Sequence, residues 1–289
     1  MTRNKAEART VRLPDGTELP AIGQGTWYMG ESIHQRDNEV RALQSGLALG
    51  MTLIDTAEMY ADGRAEEVTG EAIKGRRDEA FIVSKVYPHH AGRKHMQTAC
   101  ENSLKRLNTD RIDLYLLHWR GHIPLEETVQ ELERLKKSGK ILRWGVSNLD
   151  TEDMEELWGI HGGEQCAANQ VLYHAASRGI EHDLLPWQRE RRIPVMAYCP
   201  LAQGGRLRRD LLEHPVIRDI ASARSVRPAQ IALSWVIRDG DVLAIPKAVQ
   251  PDHVADNAAA MDIVLTAEEL ERINEAFPAP GRKVPLDMV

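Results

Sequence analysis

The chain has 289 residues, 42% hydrophobic and 28% charged, with 37 Lys plus Arg against 43 Asp plus Glu and a formal charge of -6 at pH 7. This is the composition of a globular chain with a sizeable core; it excludes disorder as the main state, and its acidic balance argues against a nucleic-acid partner. Three scattered cysteines, Cys100, Cys166 and Cys199, form no C-x-x-C pair and argue against a disulfide framework or a zinc knuckle.

Residues 1–9 are polar and charged, with no apolar signal core, and no apolar run reaches the length of a membrane span. A mature cytoplasmic protein with no membrane partner is expected. Pro14-Asp15-Gly16-Thr17 is a turn tetrapeptide between the apolar segments 11–13 and 19–22, which predicts a small hairpin as lid or plug. Residues 22–23 read as a first strand, followed by a helix over 38–49. Short apolar runs then recur at 52–55, 81–85, 112–118, 141–147, 166–170, 194–198 and 242–245. Several, such as Leu114-Tyr115-Leu116-Leu117, are apolar on both faces, as buried parallel strands are.

The helices between them have readable ends. The segment 124–140 opens on Pro124, Glu126 and Glu127, repeats Leu125, Val129, Leu132 and Leu135 on one face, and closes with Lys136, Lys137 and Gly139. A helix over 228–240 places Ile231 and Trp235 on one side. Thr266-Ala267-Glu268-Glu269 is a capping box opening a C-terminal helix with the stripe Leu270, Ile273 and Phe277. Eight strand-then-helix units without a linker predict an α/β fold: a (β/α)8 TIM barrel with an N-terminal β-hairpin, one domain over residues 1–289. A doubly wound open sheet is the competing architecture.

In such a barrel the chemistry sits at the carboxyl ends of the strands. The second strand ends in Asp55, with Tyr60 shortly after; the third ends in Lys85; the fourth runs into His118-Trp119. Later ends carry Ser147-Asn148, Asn169-Gln170, Tyr198 and Ile245-Pro246-Lys247. Singly each has a plain explanation: a helix cap, a solvated lysine, a core histidine. Jointly they point to a site. Asp55 can hold the Lys85 ammonium beside the Tyr60 phenol, and the cation is expected to lower the phenol pKa from about 10, making Tyr60 a tuned proton donor. His118 can donate a hydrogen bond to the same substrate oxygen. Burying an ion pair such as Asp55–Lys85 seldom gains stability, so its presence would point to function.

Gly23-Gln24-Gly25-Thr26-Trp27, Asp55-Thr56-Ala57 with Tyr60, Glu67-Val68 with Gly70, Leu117-His118-Trp119, Gly145-Val146-Ser147-Asn148, Asn169-Gln170 and Ile245-Pro246-Lys247 are similar, in order, to the signatures of the aldo-keto reductase superfamily. The resemblance covers the chain from Val11 to the C-terminal helix. It implies Asp55, Tyr60, Lys85 and His118 as a catalytic tetrad, with Tyr60 giving a proton while reduced nicotinamide gives hydride to a carbonyl carbon. It further implies NADPH (NADP+) as cofactor, with Ser147, Asn148 and Gln170 on the carboxamide and Tyr198 stacked on the nicotinamide. Leu201 and Gly204, with Pro200 and Gln203 in the same loop, would cover the pyrophosphate. Lys247 would meet the 2′-phosphate and Asn257 the adenine, while Gly25, Thr26, Trp27, Asp55, Ile245, Pro246, Ala248 and His253 complete the expected contacts.

Two positions depart from the family pattern: Ala248 stands where Ser is common and His253 where Arg is common. Lys247 remains as a point charge, but the bidentate guanidinium is missing, so NADH use is possible. A Rossmann reading fails, because Tyr28 stands where the third glycine of G-x-G-x-x-G belongs. Trp27, Tyr28 and Trp119, with Trp187 as a fourth candidate, would wall the substrate pocket, with Tyr60 and His118 at the reacting oxygen. The tail 278–289 is short, which suggests a shallow, open pocket for a small carbonyl, and its ending resembles bacterial family members that reduce methylglyoxal or diketogulonate-like sugars. Two other function classes stay open: a nucleotide-sensing, non-enzymatic subunit of the same fold, and a Schiff-base lyase using Lys85. No metal site and no partner beyond the substrate are expected, and a monomer is the expected state.

Overall fold

The computed structural model describes residues 9–289, so most of the opening stretch read for a targeting signal lies outside the described residues. Two strands, β1 (Thr10–Arg12) and β2 (Glu18–Pro20), pair antiparallel around the predicted turn. Eight more follow: β3 (Gln24–Gly25), β4 (Leu53–Asp55), β5 (Phe81–Val86), β6 (Leu114–Leu117), β7 (Trp144–Ser147), β8 (Asn169–Leu172), β9 (Val195–Tyr198) and β10 (Val242–Ala244). They lie side by side in chain order, each parallel to the next. The sheet then closes on itself. Ile22 bridges Ala244 in parallel, Gly23 N donates to Ala244 O at 2.8 Å, and Gly25 N donates to Pro246 O at 3.0 Å. The predicted (β/α)8 barrel is the fold.

The helices are α1 (Arg36–Ala48), α2 (Arg64–Ala72), α3 (Met96–Leu107), α4 (Leu125–Lys137), α5 (Thr151–Gly159), α6 (Leu184–Glu190), α7 (Gly205–Leu212), α8 (Pro215–Arg224), α9 (Pro228–Val236), α10 (Pro251–Ala259) and α11 (Ala267–Ala276). One follows each barrel strand except after β9, where α7 and α8 precede α9, and after β10, where α11 follows α10. The two extra helices after β9 were not anticipated. The C-terminal capping box forms as expected: Glu269 N donates to Thr266 Oγ1, and Thr266 N to Glu269 Oε2. Of the predicted stripe, Ile273 is buried, while Leu270 and Phe277 pack half-buried against the core.

Some strand bounds shift for identifiable reasons. The first ladder uses Gln24–Gly25, whose polar side chain hid it; Gln24 is buried, and its amide donates to the carbonyls of Leu43 and Met51. The fourth strand starts at Leu114, because the Asp113 carboxylate is taken up by Ile82 N and Arg77.

The hairpin is a plug rather than a lid. Arg143, which precedes β7, reaches its turn through Asp15 Oδ2 at 2.5 Å and Thr17 Oγ1 at 2.7 Å, so it covers the amino ends of the strands. The opposite rim, at the carboxyl ends, is left for the site.

Candidate active site

Asp55 is the last residue of β4, Lys85 lies near the end of β5, and His118 directly follows β6. Three adjacent strands therefore deliver three groups to one rim. Tyr60 comes back to the same point in the turn after β4. The Lys85 Nζ sits 2.8 Å from Asp55 Oδ2, 2.8 Å from the Thr56 carbonyl and 3.1 Å from Tyr60 Oη, and is fully buried. Three acceptors for three protons is the complement of an ammonium. The other Asp55 oxygen accepts from Gln170 Nε2 at 2.7 Å, so the carboxylate is held on both sides.

Burial raises the Asp55 carboxyl and lowers the Lys85 ammonium, and the attraction between the two opposes each shift. Tyr60 departs from the expectation. Its phenol is pushed well above its ordinary value, first by burial and then by the Asp55 charge. Burial, reinforced by the Asp55 charge, outweighs the lowering expected from the adjacent cation. The consequence is a phenol that holds its proton at neutral pH. Burial and the Lys85 charge drive His118 down to about 2, which leaves a neutral imidazole. Its Nδ1 is buried without a hydrogen-bond partner, and its ring stands edge-on to Tyr60 with centroids 5.8 Å apart.

Asp55, Tyr60, His118 and Gln170 line a cavity of about 590 Å3, with Lys85 buried behind them. Trp27, Tyr28 and Trp119 wall one end above Tyr60 and His118. Beyond them lies a polar corner: Ser147 Oγ donates to the Gln170 carbonyl at 2.8 Å, and Tyr198 Oη donates to Asn148 Oδ1 at 2.8 Å. Gly25, Pro200, Leu201, Gln203, Gly204, Ile245, Pro246 and Lys247 continue the lining. Among the described residues Asp55 is the only acidic side chain on it, and Lys85 pairs with that charge, whereas Lys247 and Arg208 add cations. In a chain of net charge -6, that lining suits an anionic ligand.

Four expected contact residues lie off the lining. Thr26 is fully buried, its hydroxyl donating to the Asp55 carbonyl at 3.0 Å. Ala248, His253 and Asn257 sit beyond Lys247, the last two on α10. Trp187 is core, stacked under the Arg191 guanidinium at 4.0 Å. Sequence reading passed over Met59, Cys199, Ala202, Arg208, Met288 and Val289, which do line the cavity. For Arg208 a signal was present: arginines at 206, 208 and 209 directly after Gly204-Gly205. The tail is also less spare than its length suggested. Lys283 reaches Asp150 Oδ1 at 2.6 Å and Asp183 Oδ2 at 2.7 Å, Ser177 donates to Asp287, and Met288 and Val289 then close part of the rim.

A model of the Aldo/keto reductase family matches residues 21–277. The chain belongs to this family. Methylglyoxal reductase YeaE of Escherichia coli (strain K12) is 56% identical over 98% of this chain and all of the relative. Glyoxal reductase of Bacillus subtilis (strain 168) is 33% identical over 92% of this chain and 91% of its own length. Among solved structures, an aldo-keto reductase from Klebsiella pneumoniae in complex with NADPH superposes with a TM-score of 0.96 at 61% identity, over 98% of this chain and 99% of that one. A structure of an aldo/keto reductase from the same organism, with NADP and acetate, has a TM-score of 0.95. Among the described residues no helix is long and apolar enough to cross a membrane, and no group of three or more His, Cys, Asp or Glu could hold a metal ion.

Proposed function

We propose that this aldo-keto reductase reduces small aldehydes and ketones, foremost 2-oxo aldehydes such as methylglyoxal, to alcohols with NADPH. The observation that carries this reading is the Tyr60 hydroxyl, protonated and held 3.1 Å from the Lys85 ammonium at the floor of the cavity. The NADPH bound in the Klebsiella pneumoniae relative and the names of the curated relatives support the cofactor and the substrate class.

The side chains fit that cofactor in kind. Ser147, Asn148 and Gln170 offer amide and hydroxyl groups for a carboxamide, Tyr198 offers a ring face, and Lys247 a charge for phosphate. Arg208, on α7, is the second cation of the lining. Bound NADPH supplies hydride to the carbonyl carbon. The rest is the work of the protein. The Trp27, Tyr28 and Trp119 wall limits water, and neutral His118 orients the carbonyl oxygen. Tyr60 passes its proton to that oxygen as negative charge builds there, and the nearby ammonium stabilises the phenolate left behind. Hydride and proton together complete the alcohol. We read residues 1–289 as a single domain, because all eight barrel strands contribute to one rim.

The lyase reading is disfavoured by the three acceptors on Lys85 Nζ, which leave no lone pair for a carbonyl. The sensor reading predicts NADPH binding without turnover. In the deciding experiment, Tyr60→Phe keeps NADPH affinity within about twofold while methylglyoxal reduction falls by about a hundredfold or more. Near-normal turnover in that variant would overturn the proton-donor role, and no turnover by the unmodified protein on any carbonyl would favour a sensor.

A further inference from the structure

Directly after Tyr60 the backbone enters the left-handed region three times in succession, at Ala61 (φ 50°), Asp62 (φ 55°) and Gly63 (φ 87°). Only the third is a glycine. Each non-glycine residue there costs about 1 kcal/mol, so surrounding contacts must hold the turn in this shape. The contact at Gly63 is the Arg106 side chain from α3, lying so close that a Cβ on Gly63 would stand 2.5 Å from it. Arg106 is in turn placed by a carboxylate: its Nε lies 2.6 Å from Glu66 Oε2.

Glu66, in the first turn of α2, is fully buried and belongs to none of the groups that face the cavity. Its second oxygen accepts from Ser84 Oγ at 2.5 Å, and Ser84 is the neighbour of Lys85 on β5. One carboxylate thus joins the turn that carries Tyr60 to the strand that carries Lys85. We infer that Glu66 is a positioning residue for proton transfer: through Arg106 and Ser84 it sets the Tyr60 hydroxyl against the Lys85 ammonium. This rests on the reading of Tyr60 as proton donor.

The link is electrostatic as well as mechanical. The groups facing Lys85 are Asp55 on β4, Tyr60 in the turn, His118 after β6 and Glu66 on α2. Those facing Glu66 are Arg106 and Cys100 on α3, Tyr115 on β6, and Lys85. The Glu66 charge favours the ammonium. Removing it while Arg106 stays adds net positive charge nearby, and the Lys85 proton is then released at lower pH.

The test is Glu66→Gln, which keeps shape and removes charge. Expected are a kcat about tenfold lower, KM and NADPH affinity by fluorescence titration unchanged, and an alkaline limb of the kcat–pH profile displaced toward acid by about half a unit or more. Glu66→Asp, which restores the charge, returns the limb toward its original position. A Glu66→Gln enzyme with unaltered kcat and limb, alongside an inactive Tyr60→Phe, overturns the inference and leaves the donor assignment standing; an active Tyr60→Phe removes the donor assignment itself. Should Glu66→Gln not fold, Ser84→Ala serves, since it frees the strand but keeps the charge pair. It should lower kcat without moving the limb, and an unchanged kcat there overturns the inference.

Discussion

With its imidazole pushed down to about 2 by burial and by Lys85, His118 meets a substrate as a neutral ring. In the unfolded chain the same ring titrates near 6.5, so below that pH the unfolded state binds a proton that the folded state refuses. Stability contributed by the neutral ring is therefore complete above the unfolded pKa and is lost as pH falls below it, at about 1.4 kcal/mol per unit. Urea unfolding of the unmodified protein and of His118→Gln between pH 7 and 5 should show the steeper loss in the former; parallel curves would mean that His118 is solvated. At this scale the identities of the site residues were legible, because Asp55, Lys85 and His118 stand at or next to a strand end, and strand ends show in an apolar pattern. The direction of the Tyr60 shift was not. It depends on how completely water is removed from the phenol, and that is decided by residues distant in sequence. Arg208 went unremarked for a related reason: the arginines after Gly204-Gly205 mark a basic stretch, and the fold alone tells which of them faces the cavity.

Among elements, the ones that announced themselves carry their own end signals. The Thr266–Glu269 box and the Pro124–Gly139 helix are local chemistry, and their ends fall within a few residues of expectation. Between β9 and α9 the chain is rich in arginine and α7 has no side-chain cap, so it gave little signal, whereas the start of α8 at His214-Pro215 was readable and passed over. The tail has no secondary structure, and side-chain contacts set its course, Ser177 with Asp287 and Lys283 among them. Lys283 lies between the N-caps of α5 and α6, Asp150 and Asp183, and so ties the last residues across two loops of the rim. Exposed pairs of this kind contribute about 1 kcal/mol or less to stability. Lys283→Met should accordingly leave the melting temperature nearly unchanged while raising KM for a small carbonyl severalfold at constant kcat, as the Met288–Val289 part of the wall loosens. A large fall in melting temperature with unaltered KM would show that the tie is structural only.

Over the whole molecule, eightfold alternation made the barrel readable, whereas its closure was not, since the seam joins residues from opposite ends of the chain. At the seam β3 lies so close to the stretch after β10 that a Cβ on Gly25 would stand 2.7 Å from the Ile245 carbonyl oxygen. Gly25→Ala should therefore cost about 1 to 3 kcal/mol in chemical denaturation. It should also weaken NADPH binding, because the displaced segment runs through Pro246 to Lys247; full affinity in a destabilised variant would separate the seam from the cofactor rim. The seam has a further consequence, in time rather than space. Ile22 leaves the ribosome early and its partner Ala244 late, so at about 5–20 residues per second the outer edge of β3 waits on the order of ten to forty seconds for its neighbour. Through that interval the nascent chain carries an open, pairing-competent strand edge, and only the last barrel strand removes it.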